Sequence, residues 1–155
     1  FTELAPIALG RHPAEVVLAD FDGDKDLDVA VTEVGDDTVS FLANDGDLGL
    51  TFRARSATGD GPTFLVAGDL DGDRRVDLFV ACPVTENLTR LRNQGGFTFA
   101  RSELFVGRGV NFIDLVDVDR DGDLDLMAIP TAGNGQWLIN DSIGNFVRRI
   151  DLDFL

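Results

Sequence analysis

Residues 20–28 read Asp20-Phe21-Asp22-Gly23-Asp24-Lys25-Asp26-Leu27-Asp28. The pattern returns as Asp69-Leu70-Asp71-Gly72-Asp73-Arg74-Arg75-Val76-Asp77 and as Asp117-Val118-Asp119-Arg120-Asp121-Gly122-Asp123-Leu124-Asp125. The first aspartates are 49 and 48 residues apart. Self-similarity at a fixed period of this size decides the architecture before any local reading does. Upstream of each copy lies an apolar run, and a second follows at once, at 27–31, 76–81 and 124–129.

Further downstream the copies stay in register. Residues 38–44, 88–93 and 136–140 align, each ending in Asn44, Asn93 or Asn140. A Gly/Asp/Asn turn comes next, then a segment led by Phe52, Phe99 or Phe146. Short runs of Val, Ile, Leu and Phe bounded by turn residues are strand signals, and no helix-length amphipathic stretch interrupts them. Four strands per unit at this period are what a β-propeller blade requires.

The expectation is one all-β, β-propeller-type domain over 1–155, built of three four-stranded antiparallel units plus an extra N-terminal strand. The approximate repeats are 14–58, 62–106 and 110–155, with 1–10 an outer strand of a preceding blade, because Phe1-Thr2-Glu3-Leu4 precedes Asp20 as Phe52 precedes Asp69. Three blades make an incomplete ring, since propellers use about four to eight. The expected partners therefore include further copies of the chain, as a homo-oligomer, or the rest of a longer propeller.

Carboxylates recur at relative positions 1, 3, 5 and 9 of each loop. They are Asp20, Asp22, Asp24 and Asp28; Asp69, Asp71, Asp73 and Asp77; and Asp117, Asp119, Asp121 and Asp125. Position 7 is Asp26, Arg75 or Asp123. An arginine side chain cannot ligate a cation, so position 7 is expected to offer its backbone carbonyl. Calcium is the natural ion, hard and content with six to eight oxygens at flexible geometry. Magnesium demands stricter octahedral geometry, and zinc would want His or Cys, which the loops lack. About one calcium per repeat, three in all, is expected. Two carboxylates about 4 Å apart repel by roughly 4 kcal/mol at an effective dielectric near 20. Metal binding and folding should therefore be coupled. An EF-hand would need Glu at position 12, where Val31, Val80 and Ala128 stand.

Charge supports the same reading. Of 28 acidic residues, 14 lie in the three loops, and without them the formal charge of −15 would be close to −1. The acidity is local, as a bound cation requires. No basic stripe offers a nucleic-acid surface. No run of about 18 apolar residues marks a membrane span. The residues from Phe1 lack the pattern of a secretory leader, as a mature secreted chain also would.

At these residues the chain resembles the FG-GAP/VCBS repeat family, the calcium-loop blades of integrin-alpha-like propellers. The Asn44-Asp45-Gly46 and Asn93-Gln94-Gly95 turns fit the resemblance too. It implies calcium in the hairpin between the first two strands of each blade. It also implies an extracellular or cell-surface setting and a role in adhesion or in binding a protein or glycan ligand. Similar propellers also occur in polysaccharide-processing enzymes, so a lyase-like alternative and a pure assembly element stand beside the binding module. A basic residue at position 6, Lys25 or Arg74, departs from the family and points to weaker sites.

Catalytic groups are scarce. The chain has one His, one Cys and no Tyr, and no catalytic constellation is found, so it reads as not an enzyme. His12 beside Pro13 reads as a solvated turn residue, and Cys82 as a small buried hydrophobe. Trp137 reads as packing, and Arg90, Arg92, Arg148 and Arg149 as a solvated rim. Asn87-Leu88-Thr89 and Asn140-Asp141-Ser142 match the N-glycosylation pattern.

Overall fold

The computed structural model describes residues 6–46, 49–107 and 109–152, apart from the side chains of residues 148 and 149. Twelve strands follow one another, with no helix among the described residues. They are β1 (Pro13–Ala19), β2 (Asp28–Glu33), β3 (Thr38–Asn44), β4 (Leu50–Ala57), β5 (Phe64–Gly68), β6 (Asp77–Ala81), β7 (Asn87–Asn93), β8 (Phe99–Phe105), β9 (Val110–Val116), β10 (Asp125–Pro130), β11 (Gly135–Asn140) and β12 (Phe146–Leu152). They form three four-stranded antiparallel meanders, β1–β4, β5–β8 and β9–β12. None closes into a ring. Of the strand expected in 1–10, residues 1–5, with Phe1 and Leu4, lie outside the described residues, and 6–10 carry no strand.

The sheets pack face to face, with first strands side by side: β1 lies next to β5, and β5 next to β9. This is blade geometry. It explains why the middle strands read as continuous apolar runs rather than alternating ones. A strand covered on both faces has no polar side to show. β6 is buried at every position.

Register assigns each residue to a junction. Val29 pairs with Leu42 and Ala30 with Phe41, so Ala30 and Phe41 face the second blade. There they meet Leu78 and Leu91 of that blade. Phe41 stacks on Phe99 at 4.2 Å between ring centroids, and Phe21 meets Phe41 edge-on at 5.4 Å. Such pairs add roughly 0.5–1.5 kcal/mol beyond the area they bury. The second junction repeats the scheme with Leu70, Phe79, Ile113, Leu126 and Leu138.

An asparagine at each junction ties the blades by hydrogen bonds. Asn93, the last residue of β7, donates Nδ2 to the Phe21 carbonyl in the first blade (2.8 Å) and to its own Val76 carbonyl (3.1 Å). Asn140, the last of β11, does the same to Leu70 (3.0 Å) and Leu124 (3.1 Å). Each amide therefore satisfies a carbonyl in the preceding blade's aspartate loop, where water has little access.

Candidate metal centres

Each aspartate loop joins the first two strands of its blade. Two left-handed residues curl it. In the first loop they are Gly23 (φ 90°) and Lys25 (φ 81°), in the second Gly72 and Arg74, and in the third Arg120 and Gly122. The curl turns successive N–H groups inward, and the position-1 carboxylate receives them. Asp20 accepts from Gly23 N (2.6 Å) and Lys25 N (3.0 Å), and Asp69 from Gly72 N and Arg74 N (both 2.8 Å). Asp117 accepts from Asp121 N and Gly122 N (both 3.1 Å). Asp24 and Asp73 each accept from the N–H two residues on, at 2.9 Å, and Asp121 accepts from Asp123 N at 3.2 Å. These are the Asx turns such residues favour.

Position 9 closes the loop onto the third strand. Asp28 is fully buried and accepts from Phe21 N and Asn44 N, both at 2.9 Å. Asp125 is its counterpart, with Val118 N and Asn140 N at 2.9 Å. This aspartate is therefore a backbone staple in its own right.

Carboxylate oxygens converge to within 4.8 Å of one another in three sets: Asp20, Asp22 and Asp28; Asp69, Asp71 and Asp73; and Asp117, Asp119 and Asp125. Of the other sequence-predicted ligands, Asp24, Asp121 and Asp77 stand outside these sets, as do the position-7 residues. Asp26 lies against the Gly46 turn, where an added Cβ would come within 2.9 Å of its carboxylate. Both oxygens of Asp123 are withdrawn from solvent.

Desolvation, followed by the charge of neighbouring aspartates, pushes the carboxyls of Asp22 and Asp119 above their ordinary range, and burial raises Asp123. Crowded hard oxygens that resist ionisation fit a divalent cation of the calcium type, which would neutralise them together. No zinc-type ligand shares these sets.

The second loop differs. Arg90 Nη2 sits 3.1 Å from Asp77 and 3.8 Å from Asp71, and Arg92 Nε makes a close contact with Asp71. Arg75 pairs with Asp73 and donates Nε to the Asn93 carbonyl at 2.9 Å. Three guanidinium groups thus lie among four carboxylates. Asp77 nevertheless stays raised, since its burial outweighs the Asn93 amide and Arg90.

This corrects one expectation. Arg90 is not a solvated rim residue, and Arg92, though 53% exposed as expected of a rim, makes a close contact with Asp71. Their parity on β7 turns both toward the third blade, over the second loop, and Arg90 is 14% exposed. Arg90 also donates Nη1 to the Gly144 carbonyl of that blade (2.5 Å). The basic position-6 residues Lys25 and Arg74 are exposed and outside the carboxylate sets, so the cations that intrude on the second loop come from Arg75, Arg90 and Arg92. A basic residue on the middle strand beside an Asp loop was the available signal.

His12 is exposed with φ 52°, Cys82 is buried, and Trp137 is half-buried on β11. Burial raises the Cys82 thiol. Asn140 is buried and hydrogen-bonded, which disfavours glycosylation at that pattern. The side chains of Arg148 and Arg149 lie outside the description.

A family model for the FG-GAP-like repeat matches residues 20–80 and 69–128. Each match runs from one aspartate loop into the strands after the next. No curated protein and no solved structure matches the chain significantly. With matched repeats spanning most of its length, three blade-like sheets and an acidic loop in each, the chain belongs to the FG-GAP-like repeat family.

Proposed function

We propose that the chain is a calcium-stiffened propeller module for extracellular ligand binding or adhesion, with the ions structural rather than catalytic. One observation carries this reading. In the first and third loops a buried Asp already bonded to two backbone amides lies within 4.8 Å of two further carboxylates, with no basic side chain among the described residues paired to the three. Such a cluster accumulates charge that a divalent cation relieves. Calcium is the ion the oxygen donors favour, with Asp20, Asp22 and Asp28, and Asp117, Asp119 and Asp125, as its holders. The second loop is the weakest of the three expected sites.

The ion's contribution is to lock each hairpin, and through Phe21 or Leu70 the junction beyond it. Sites of this loose, carboxylate-rich kind work in extracellular modules at roughly 10⁻⁴–10⁻³ M calcium. The repeat family supports an extracellular or cell-surface location. The repeat family supports a non-enzymatic role, and a protein or glycan is the expected ligand.

The test is thermal unfolding with millimolar calcium, with magnesium, and after exhaustive chelation. Calcium at about 100 times its Kd should add roughly 2.7 kcal/mol. An unchanged Tm after chelation would overturn the calcium reading. A glycan array run with and without chelator tests the ligand class.

A further inference from the structure

The three blades differ at two register positions on the strand beside the aspartate loop. Ala30 pairs with Phe41, Phe79 with Arg90 and Met127 with Trp137, so Phe41, Arg90 and Trp137 are equivalent. Two residues on, just before the final Asn of each strand, stand Ala43, Arg92 and Ile139. The first and third blades therefore carry apolar residues where the second carries two guanidinium groups. Phe41 and Ala43 are buried in the first junction, whereas Arg90 and Arg92 reach the carboxylates of their own loop.

The carboxylates are rearranged to match. In the first and third loops the converging set takes positions 1, 3 and 9. In the second it takes positions 1, 3 and 5, and Asp77 at position 9 is left out. Asp28 Oδ2 and Asp125 Oδ2 each accept from a position-2 amide at 2.9 Å, but Asp77 Oδ2 accepts from Arg90 Nη2 at 3.1 Å. Position 3 changes as well. Asp22 and Asp119 are exposed, whereas the Asp71 side chain is 3% exposed beneath Arg90 and Arg92. Arg75 pairs with Asp73. Three of the four carboxylates thus face a positive charge that belongs to the chain. An ion entering this loop would have to displace Arg92 from Asp71 and lie beside Arg90, against the repulsion between like charges at close range.

We propose that the second loop takes no calcium, and that Arg90 and Arg92 serve as its built-in cation. Calcium then belongs to the first and third loops alone, which rests on the metal reading of those two loops. The junctions differ in consequence. Arg90 Nη1 also donates to the Gly144 carbonyl (2.5 Å), and Asn140 to the Leu70 carbonyl (3.0 Å), so the second and third blades are joined at this loop by bonds that need no ion. At the first junction Phe21 enters from a loop whose converging carboxylates have no basic partner among the described residues. Removal of calcium therefore loosens the first blade from the second and leaves the second and third joined.

The experiment is hydrogen exchange read by mass spectrometry over residues 20–28, 69–77 and 117–125, in millimolar calcium and after chelation, with bound calcium counted by equilibrium dialysis. Wild type should bind two ions. With calcium at about ten times its Kd, chelation should speed exchange about tenfold in the first and third segments and leave the second unchanged. The double variant Arg90→Gln, Arg92→Gln should bind one ion more than wild type and make exchange in 69–77 respond to chelation. Arg92→Gln alone keeps the Arg90 bonds, so it covers the case in which the double variant fails to fold, and it should show the same gain at higher calcium. Three ions in wild type, exchange in 69–77 that responds to chelation there, or no ion gained by either variant would overturn the proposal. A wild type without calcium beside a variant that gains one ion would sink the metal reading of the first and third loops and uphold the assignment of the second.

Discussion

Asn93→Ala should be among the most damaging single polar substitutions in the chain. It removes Nδ2 bonds to the Phe21 carbonyl (2.8 Å) and the Val76 carbonyl (3.1 Å), and the Oδ1 bond from Gly95 N (2.8 Å). A net value of about 1 kcal/mol per bond gives roughly 3 kcal/mol, and the orphaned Phe21 carbonyl at a dry junction adds to it. For a chain of this size, that corresponds to a Tm drop of about 6–12 °C. Asn44→Ala is the internal control. It loses only the bonds to Leu27 O and from Gly46 N, both 3.2 Å and both open to water, and should cost less than about 1 kcal/mol. Equilibrium urea unfolding in calcium, followed by circular dichroism, measures both. Equal costs for the two variants, or a cost for Asn93→Ala within 1 kcal/mol of zero, would refute the idea that this amide ties one blade's loop to the next.

Three further outcomes are expected. Arg92→Ala should strengthen calcium binding at the second loop by about tenfold, or ~1.4 kcal/mol, since it removes a cation in contact with Asp71; calorimetric titration with unchanged affinities and stoichiometry would contradict this. Glu33 is fully buried, and although burial raises its carboxyl, the Ser40, Gly10, Thr38 and Arg55 bonds together hold it below the ordinary 4.5. Its stabilising contribution is therefore present above about pH 4.5 and lost as pH falls through the depressed value, so Glu33→Gln should be less stable at neutral pH with a flatter acid limb, and parallel pH–stability curves would show the network to be inert. Asp28→Asn should be destabilising even in chelator, because the residue staples Phe21 N and Asn44 N without any ion; a cost seen only in calcium would assign it to the metal alone.

The blade reading was available from the chain because it depends on periodicity. Three copies of an aspartate loop, each flanked by apolar runs and an Asn-ended strand, leave few architectures, and the observed meanders β1–β4, β5–β8 and β9–β12 follow them closely. The candidate loops were legible for the same reason, since spacing alone puts the carboxylates on one curled segment.

What spacing could not show is where side chains from other strands arrive. Arg90 and Arg92 lie about twenty residues beyond Asp71 and looked like an exterior rim. Only the pairing of β7 with β6 brings them over the second loop and makes it unlike its neighbours. The roles of Asn93 and Asn140 were hidden likewise, because the carbonyls they bind in the preceding blade are 72 and 70 residues away. Local pattern and backbone sterics therefore determined the repeat, its strands and its acidic hairpins. The pairing of strands within a sheet decided which aspartates meet an arginine, and the packing of one sheet on the next decided which carbonyls the Asn93 and Asn140 amides reach, because both outcomes depend on distances between strands that spacing along the chain does not contain.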